Sequence, residues 1–377
     1  MTELKVSVIL PTYNRSDLIG ETIESLLLQE RSPNEILIID DGSTDDTAKT
    51  LAAFGDRFQI HHQTNAGKAA ALNRGLAMTT GDLVWIVDDD DVLLPTACHA
   101  LAQPLEQDPG LGFCAGRHLD FITDPKSGQK EFRNPGYMRD SSPESIFPDL
   151  LAGCHIFQPG MMVRRTVYEN IGPFREDLMR SQDYEMLLRI ARHYRGIQLD
   201  NVVFWHREHE GKRGQKGNQF SAAQNADRWA EYNRQIFSDL LAELEDSELF
   251  AQSEWEAAAP DLRPRLAQIA RGSVQGRQRM WQDALSSYIT AASFSERSLT
   301  TAERDLIKQA TLSTLGTPEL IKDRSLHLSI RALGKTGQAG SEMRSILRRS
   351  MRWQFRAAVE AKSLSSITGL VRYFAST

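Results

Sequence analysis

The sequence predicts an α/β domain on an open, mostly parallel sheet covered by helices on both faces, followed by an all-α region. Three observations predict it. Over the first 90 residues, short apolar strand-like runs alternate with helical stretches. The polar clusters in that stretch fall just after the strands, where open α/β sheets bind ligands. After about residue 219 strand-like runs cease and helical periodicity takes over.

Residues 6–10, Val-Ser-Val-Ile-Leu, are an apolar run ended by Pro11, as expected of a buried parallel strand. Ser16 can cap a helix whose apolar face holds Leu18, Ile19, Ile23, Leu26 and Leu27. Residues 35–39 form the second strand and run into Asp40-Asp41-Gly42-Ser43, where Ser43 or Thr44 can cap the next helix. Residues 58–61 are a weak third strand. Asn65-Ala66-Gly67 breaks the chain before a helix through Ala69, Leu72 and Leu76. Residues 82–87 are the fourth strand, running straight into Asp88-Asp89-Asp90-Asp91. Beyond it, 111–115, 161–163 and 197–204 read as strands and 181–193 as a helix, while 124–143 and 207–218 read as loops. The expected organisation is an α/β domain over 1–218, a linking helix over 219–250 and an α-helical region with a basic end over 251–377.

The chain has 377 residues, 41% hydrophobic and 25% charged, which excludes wholesale disorder. A net charge of −6 argues against a dedicated nucleic-acid binder. Residues 321–377 carry 11 basic and 3 acidic residues, +8, against −14 for the rest, so the tail suits an anionic surface or partner. Cys98, Cys114 and Cys154 are too few and scattered for a disulfide framework or a zinc site, and a reducing cytoplasm is the simplest setting. The first residues show no signal-peptide pattern, and no stretch approaches 18 apolar residues. Membrane contact would therefore be peripheral, at the inner face.

The aspartate run at 88–91 is the sharpest chemical feature. Four adjacent carboxylates repel, and a hard divalent cation would relieve them; the plainer alternative is a solvated acidic turn. Asp40 to Asp46 can be ordinary turn and cap chemistry, although its place at a strand end favours function. Asn65-Ala66-Gly67-Lys68 can bring backbone N–H groups and a Lys to a phosphate, but lacks the upstream Gly of a Walker loop. The glycines at 110 and 112 precede a strand, the wrong order for a dinucleotide fingerprint. With Ser181 as N-cap, Asp183 falls in the first helical turn, where the helix dipole favours its ionised form. His206 and His209, three apart in a polar segment, are metal ligands or simply solvated. Lys212, Arg213 and Lys216 could close over a diphosphate.

Together these pieces resemble the family 2 glycosyltransferases of the GT-A fold, over about residues 4–210. The resemblance rests on residues 6–15 (Val-Ser-Val-Ile-Leu-Pro-Thr-Tyr-Asn-Arg) and 39–45 (Ile-Asp-Asp-Gly-Ser-Thr-Asp). It continues through Asn65-Ala66-Gly67 with Ala71 and Asn73, then Asp88 to Asp91 with Pro95. It ends with Gly172-Pro173-Phe174-Arg175-Glu176 ahead of Gln182-Asp183. The resemblance implies roles by position. Pro11, Thr12 and Tyr13 line the nucleotide pocket, with Asn14, Asn65, Gly67, Lys68, Asp88 and Asp89 in the same nucleotide-sugar-binding set. Asp40 or Asp41 accepts from the base. Asp90 of the Asp-x-Asp pattern holds Mn²⁺ or Mg²⁺, with His209 near metal or diphosphate, and Asp183 is the catalytic base. Gln182 departs from the Glu-Asp usual there. Gln224 and Arg228-Trp229 are one residue too far apart for the processive Gln-x-x-Arg-Trp pattern.

The implied reaction is a non-processive, inverting single displacement. Asp183 deprotonates an acceptor hydroxyl on a glycan, a lipid-linked glycan or a protein, as in cell-envelope polysaccharide synthesis. A carboxylate suits the N3–H of uracil, which favours a UDP-sugar donor. Two other classes compete. A nucleotidyltransferase would show a Gly-rich, Arg-containing start where this chain has Pro11-Thr12-Tyr13-Asn14. A helical partner-binding scaffold carrying a sugar-nucleotide domain would not need the acidic motifs.

Overall fold

A computed structural model describes residues 3–124, 126–134, 138–208, 222–360 and 362–377. The chain divides into two compact units, Met1–Phe147 with Cys154–Ala223, and Pro148–Gly153 with Gln224–Thr377.

The first unit is built on nine strands: β1 (Val6–Thr12), β2 (Glu35–Asp40), β3 (Gln59–His62), β4 (Leu83–Ile86), β5 (Val92–Leu93), β6 (Phe113–Thr123), β7 (Lys130–Arg133), β8 (Met161–Arg164) and β9 (Gly196–Arg207). Their order is β3-β2-β1-β4-β8-β6-β9-β5, with β7 beside β6. The pairs β1–β2, β2–β3, β1–β4 and β6–β9 are parallel, while β8 is antiparallel to both β4 and β6. Every residue of β1 and β4 is buried, which explains why both read as mainly apolar, Ser7 of β1 being the buried exception within its run. The helices of this stretch are α1 (Ile19–Leu27), α2 (Thr47–Ala52), α3 (Lys68–Met78), α4 (Ala97–Gln107), α5 (Ile146–Ala152, which from Pro148 on belongs to the second unit), α6 (Arg165–Ile171) and α7 (Gln182–His193). One core gathers Val6, Val8 and Leu10 of β1, Trp85 of β4, Ile23 and Leu26 of α1, and Cys98 and Leu101 of α4.

The order reverses at β1, which lies between β2 and β4 although β4 follows β3 in sequence. That reversal makes a crevice at the carboxyl ends of β1, β2 and β4, the usual ligand position of open α/β sheets.

Some local expectations change. The first helix begins at Ile19, and Ser16 does not cap it; the Ser16 N–H instead donates to Asp45 (3.2 Å). Residues 130–133 form a strand inside the stretch expected to be a loop, because Phe121 and Phe132 pair across β6 and β7. Ser181 does stand at the N-cap of α7, but with φ 60° and no side-chain cap.

The second unit is helical: α8 (Ala222–Glu243), α9 (Gln252–Ala257), α10 (Arg263–Arg277), α11 (Trp281–Phe294), α12 (Thr301–Gln309), α13 (Pro318–Lys322), α14 (Arg324–Leu333), α15 (Gly337–Ser350), α16 (Arg352–Glu360) and α17 (Leu364–Ser376). Its core joins Trp281, Tyr288, Ile307, Leu320, Ile330, Met343, Leu347 and Tyr373. Fully buried Arg265 of α10 makes a bidentate pair with Glu303 of α12 (2.7 and 2.8 Å), and Glu303 also closes the capping box on Thr300. In the basic tail, Arg344 donates to the Thr377 carbonyl and Arg348 to the Phe374 carbonyl (2.8 Å), so these two arginines hold the last helix.

Candidate active site

The loops after β1 and β2 are laced together, which gives the two sequence motifs a shared local cause. Asn14 sits at φ 53°, a conformation Asn tolerates better than most residues. Its N–H donates to Ser43 Oγ (3.0 Å), and its Oδ1 accepts from the Thr44 N–H (2.7 Å). The Arg15 N–H donates to Thr47 Oγ1 (2.9 Å). Pro11 and Thr12 are buried in β1 and Tyr13 is half-buried.

Asp40 and Asp41 end β2 with buried carboxylates. Asp40 accepts the Ser43 N–H on Oδ1 (2.9 Å) and faces His62 Nδ1 with Oδ2 (2.9 Å). Asp41 accepts three bonds at 2.8 Å, from Gln63 Nε2 and the Ala66 N–H on Oδ1 and from the Gly67 N–H on Oδ2. Asp41 therefore ties the end of β2 to the turn that opens α3. The two loops approach so closely that a Cβ on Gly42 (φ 79°) would stand 2.8 Å from the Asn65 nitrogen. Asn65 itself is exposed, and Gly67 and Lys68 are half-buried.

The acidic turn after β4 is the electrostatic centre. Lys68 Nζ donates to Asp88 Oδ1 (2.5 Å). Arg15 reaches Asp89 (3.3 Å) and Asp90 (3.8 Å). Asp91 is buried, and its Oδ1 accepts the Arg207 N–H (2.9 Å). Burial first, and then the Asp90 charge, push the Asp89 carboxyl up to about 7 against the pull of Arg15. The same two causes raise Asp91 well above the usual carboxylate range. An all-oxygen, carboxylate-rich donor set at the end of β4 fits a hard divalent cation such as Mg²⁺ or Mn²⁺.

Asp183 stands in the first turn of α7, where its Oδ1 accepts from the Tyr184 N–H (2.8 Å). Lys68 shows how near it lies to the acidic turn. Burial works against the ammonium's charge, but Asp88, Asp183 and Asp90 outweigh it and hold Lys68 well above its ordinary range. Asp183 also adds to burial in raising the thiol of Cys154. Residues from the Asn-Ala-Gly-Lys, Asp-x-Asp and Gln-Asp motifs thus share one electrostatic neighbourhood. His209 lies outside the described residues, as do Lys212, Arg213 and Lys216.

Several participants carry no assigned role in the sequence reading. Arg15 stands inside a quoted motif, yet only the fold aims it at Asp89 and Asp90. Arg207 also donates from Nε to the Asp90 carbonyl (2.8 Å) and pairs with Glu21, clamping the acidic turn to α1 and β9. His206 is not a solvated loop residue. It sits on β9 with Nδ1 3.0 Å from Asp120 Oδ1, and His118 Nε2 is 3.6 Å from the same oxygen. Burial lowers His118 to about 4, with His206 acting in the same direction and Asp120 against it, so the ring is neutral at pH 7. The donor atoms of His118, Asp120 and His206 lie within 4.8 Å of one another.

Residues 7–172 match the family described as Glycosyl transferase family 2. A protein named as an uncharacterized glycosyltransferase of Rickettsia felis is 31% identical over 196 residues, covering 50% of this chain and 30% of that protein. YibD of Escherichia coli K12, likewise named an uncharacterized glycosyltransferase, is 39% identical over 114 residues, 29% of this chain and 33% of its own. The chain thus spans about a third of the length of these two relatives. Among solved structures, S. aureus TarS 1-349 in complex with UDP-GlcNAc superposes with a TM-score of 0.55 at 18% identity, covering 93% of this chain and 92% of that one. That likeness, together with the strand order, identifies the GT-A fold expected from the sequence.

Proposed function

We propose, from the match of residues 7–172 to glycosyl transferase family 2, that this chain is an inverting, non-processive glycosyltransferase using a nucleoside-diphosphate sugar. The observation that carries the reading is the acidic turn after β4 with its two cations, Lys68 on Asp88 (2.5 Å) and Arg15 on Asp89 and Asp90, with Asp183 adding to the electrostatic pull on Lys68. One site then holds cations suited to a diphosphate, carboxylates suited to a metal, and a carboxylate suited to take a proton.

In this reading the crevice between the ends of β1, β2 and β4 takes the nucleotide. Asp40 is the better acceptor for the base: it faces one donor per oxygen and keeps lone pairs that Asp41, with three donors, has largely committed. The N3–H of uracil matches such an acceptor, and the TarS structure bound to UDP-GlcNAc supports a UDP-sugar donor. Lys68 and Arg15 face the diphosphate. Asp88 and Asp90 would hold Mn²⁺ or Mg²⁺, which when bound offsets the charge growing on the leaving diphosphate. Asp183 accepts the proton of the acceptor hydroxyl as that oxygen attacks the anomeric carbon from the face opposite the diphosphate. One displacement of this kind inverts the anomeric centre. The base-binding and metal roles do not extend to the helical unit, whose basic last helices suit an acceptor or an anionic surface.

The test is a screen of sugar nucleotides with the full chain, reading nucleoside diphosphate released with and without Mn²⁺. Metal-dependent release of UDP from a UDP-sugar is the expected result. Release of pyrophosphate instead would make the chain a nucleotidyltransferase, and no binding of any sugar nucleotide with metal present would sink the enzymatic reading.

A further inference from the structure

Strands β6 and β9 run parallel, and their register sets Asp120 opposite His206 and His118 opposite Phe204. Residues two apart on a strand share a face, so His118 and Asp120 point the same way, toward their cross-strand partner. The result is two imidazole nitrogens around one carboxylate oxygen, at 3.0 and 3.6 Å. In a tetrahedral site with metal–ligand distances of about 2.0–2.1 Å, neighbouring donor atoms lie roughly 3.3–3.4 Å apart. The two His–Asp separations bracket that edge, and all three donor atoms lie within 4.8 Å of one another, close enough to converge on one cation.

Rigid aromatic walls hold the ligands. The His118 ring stacks on Phe157 (centroids 4.4 Å) and on Phe204 (5.3 Å), and the His206 ring meets Phe157 edge-on at 5.2 Å. His118 and Asp120 are buried, while the His206 side chain retains 24% exposure, leaving a way in. We propose that His118, Asp120 and His206 form a second metal site, for a borderline cation of the Zn²⁺ class, distinct from the oxygen-only set at Asp88 and Asp90. Two histidines and a carboxylate are a common ligand set for Zn²⁺ and a poor one for Mg²⁺, which favours oxygen donors and retained waters. Three protein ligands leave a fourth position for water or an incoming oxygen. The site also has a structural consequence. His206 adjoins Arg207, whose backbone N–H holds Asp91, so a cation here would stiffen the strand that braces the acidic turn.

The experiment uses the full chain after chelation, titrated with Zn²⁺ by calorimetry and with Co²⁺ by visible absorption. The expected result is one high-affinity Zn²⁺ per chain and the d–d bands of four-coordinate Co²⁺. Both should survive in an Asp88→Asn/Asp90→Asn double variant, which separates this site from the proposed catalytic one. His206→Gln and Asp120→Asn should weaken Zn²⁺ by at least the ~10–100-fold seen when even an outer-shell partner is lost. Near-UV circular dichroism checks that these variants keep the native fold, and if either fails the wild-type Co²⁺ spectrum decides. No stoichiometric Zn²⁺ in the wild type, octahedral Co²⁺, unchanged affinity in folded triad variants, or loss confined to the Asp88/Asp90 variant would each overturn the proposal. His118, Asp120 and His206 would then be a hydrogen-bonded network only.

Discussion

Asp41→Asn is the substitution whose cost the structure lets one work out most directly. The Asp41 carboxylate accepts three bonds of 2.8 Å, two on Oδ1 and one on Oδ2. An asparagine keeps one acceptor oxygen. Placed at the Oδ1 position it retains the bonds from Gln63 and Ala66, but its NH₂ then faces the Gly67 N–H, donor against donor. The lost bond was to a charged acceptor, worth about 1.5–3 kcal/mol, and the retained pair weakens as the charge goes. Gly67 is only half-buried, so water recovers part of this, leaving a net loss of about 2 kcal/mol. For a unit of this size that lowers the melting temperature by roughly 4–8 °C. The turn that Asp41 holds opens the helix bearing Lys68, so UDP affinity should fall as well. Thermal melts of the full chain and a UDP titration read both. A melting shift under 1 °C with unchanged UDP affinity would refute the idea that Asp41 braces this turn.

Other outcomes follow from the same geometry. Asp183→Asn should lower turnover by about 10² or more while UDP affinity stays within a few-fold; collapse of nucleotide binding would reassign Asp183 to a structural or metal role. Asp90→Asn should abolish stabilisation by Mn²⁺ plus UDP in thermal-shift assays and leave the metal-free melt nearly unchanged; a preserved Mn²⁺ shift would remove Asp90 from the metal set. In the helical unit, Glu303→Gln leaves the buried Arg265 charge uncompensated and should cost about 3–5 kcal/mol in denaturant melts. Adding Arg265→Met should restore much of that loss, and a double variant no better than Glu303→Gln would show that packing rather than charge dominates there. Flotation with anionic vesicles should detect salt-sensitive binding that disappears without residues 321–377, if the basic tail serves a surface rather than its own packing.

The crevice was legible in the sequence because its cause is local. A strand buried on both faces reads as a mainly apolar run, so the charged residue that follows it is conspicuous. Asp40 and Asp88 announce themselves in this way, Lys68 follows the Asn-Ala-Gly break that opens α3, and the order of the motifs along the chain does the rest. Their partners are a different matter. That Asp41 braces the Ala66 and Gly67 amides, or that Arg15 turns toward Asp89 and Asp90, depends on how closely two loops approach across the crevice, and Gly42 is the only hint of that approach.

The His118, Asp120 and His206 cluster lay beyond local reading for a sharper reason. Alternation along a strand reports which face a residue takes within its own strand, and His118 and Asp120 do share a face by that rule. Which residue of β9 meets them depends on register across 86 positions of sequence, and that register slips between Ala115 and His118. A slip of one residue moves a side chain to the opposite face. Without the irregularity, continuing the Ala115–Gln198 pairing two-for-two would set His118 opposite Asn201 and Asp120 opposite Val203, with no imidazole in reach. The cluster is therefore a product of the bulge, and bulges commonly sit where a side chain is re-aimed beside a functional site. This one brings His206 against Asp120 one residue before Arg207, whose N–H holds Asp91 and whose Nε donates to the Asp90 carbonyl, so the His118, Asp120 and His206 cluster adjoins the residue that braces the acidic turn.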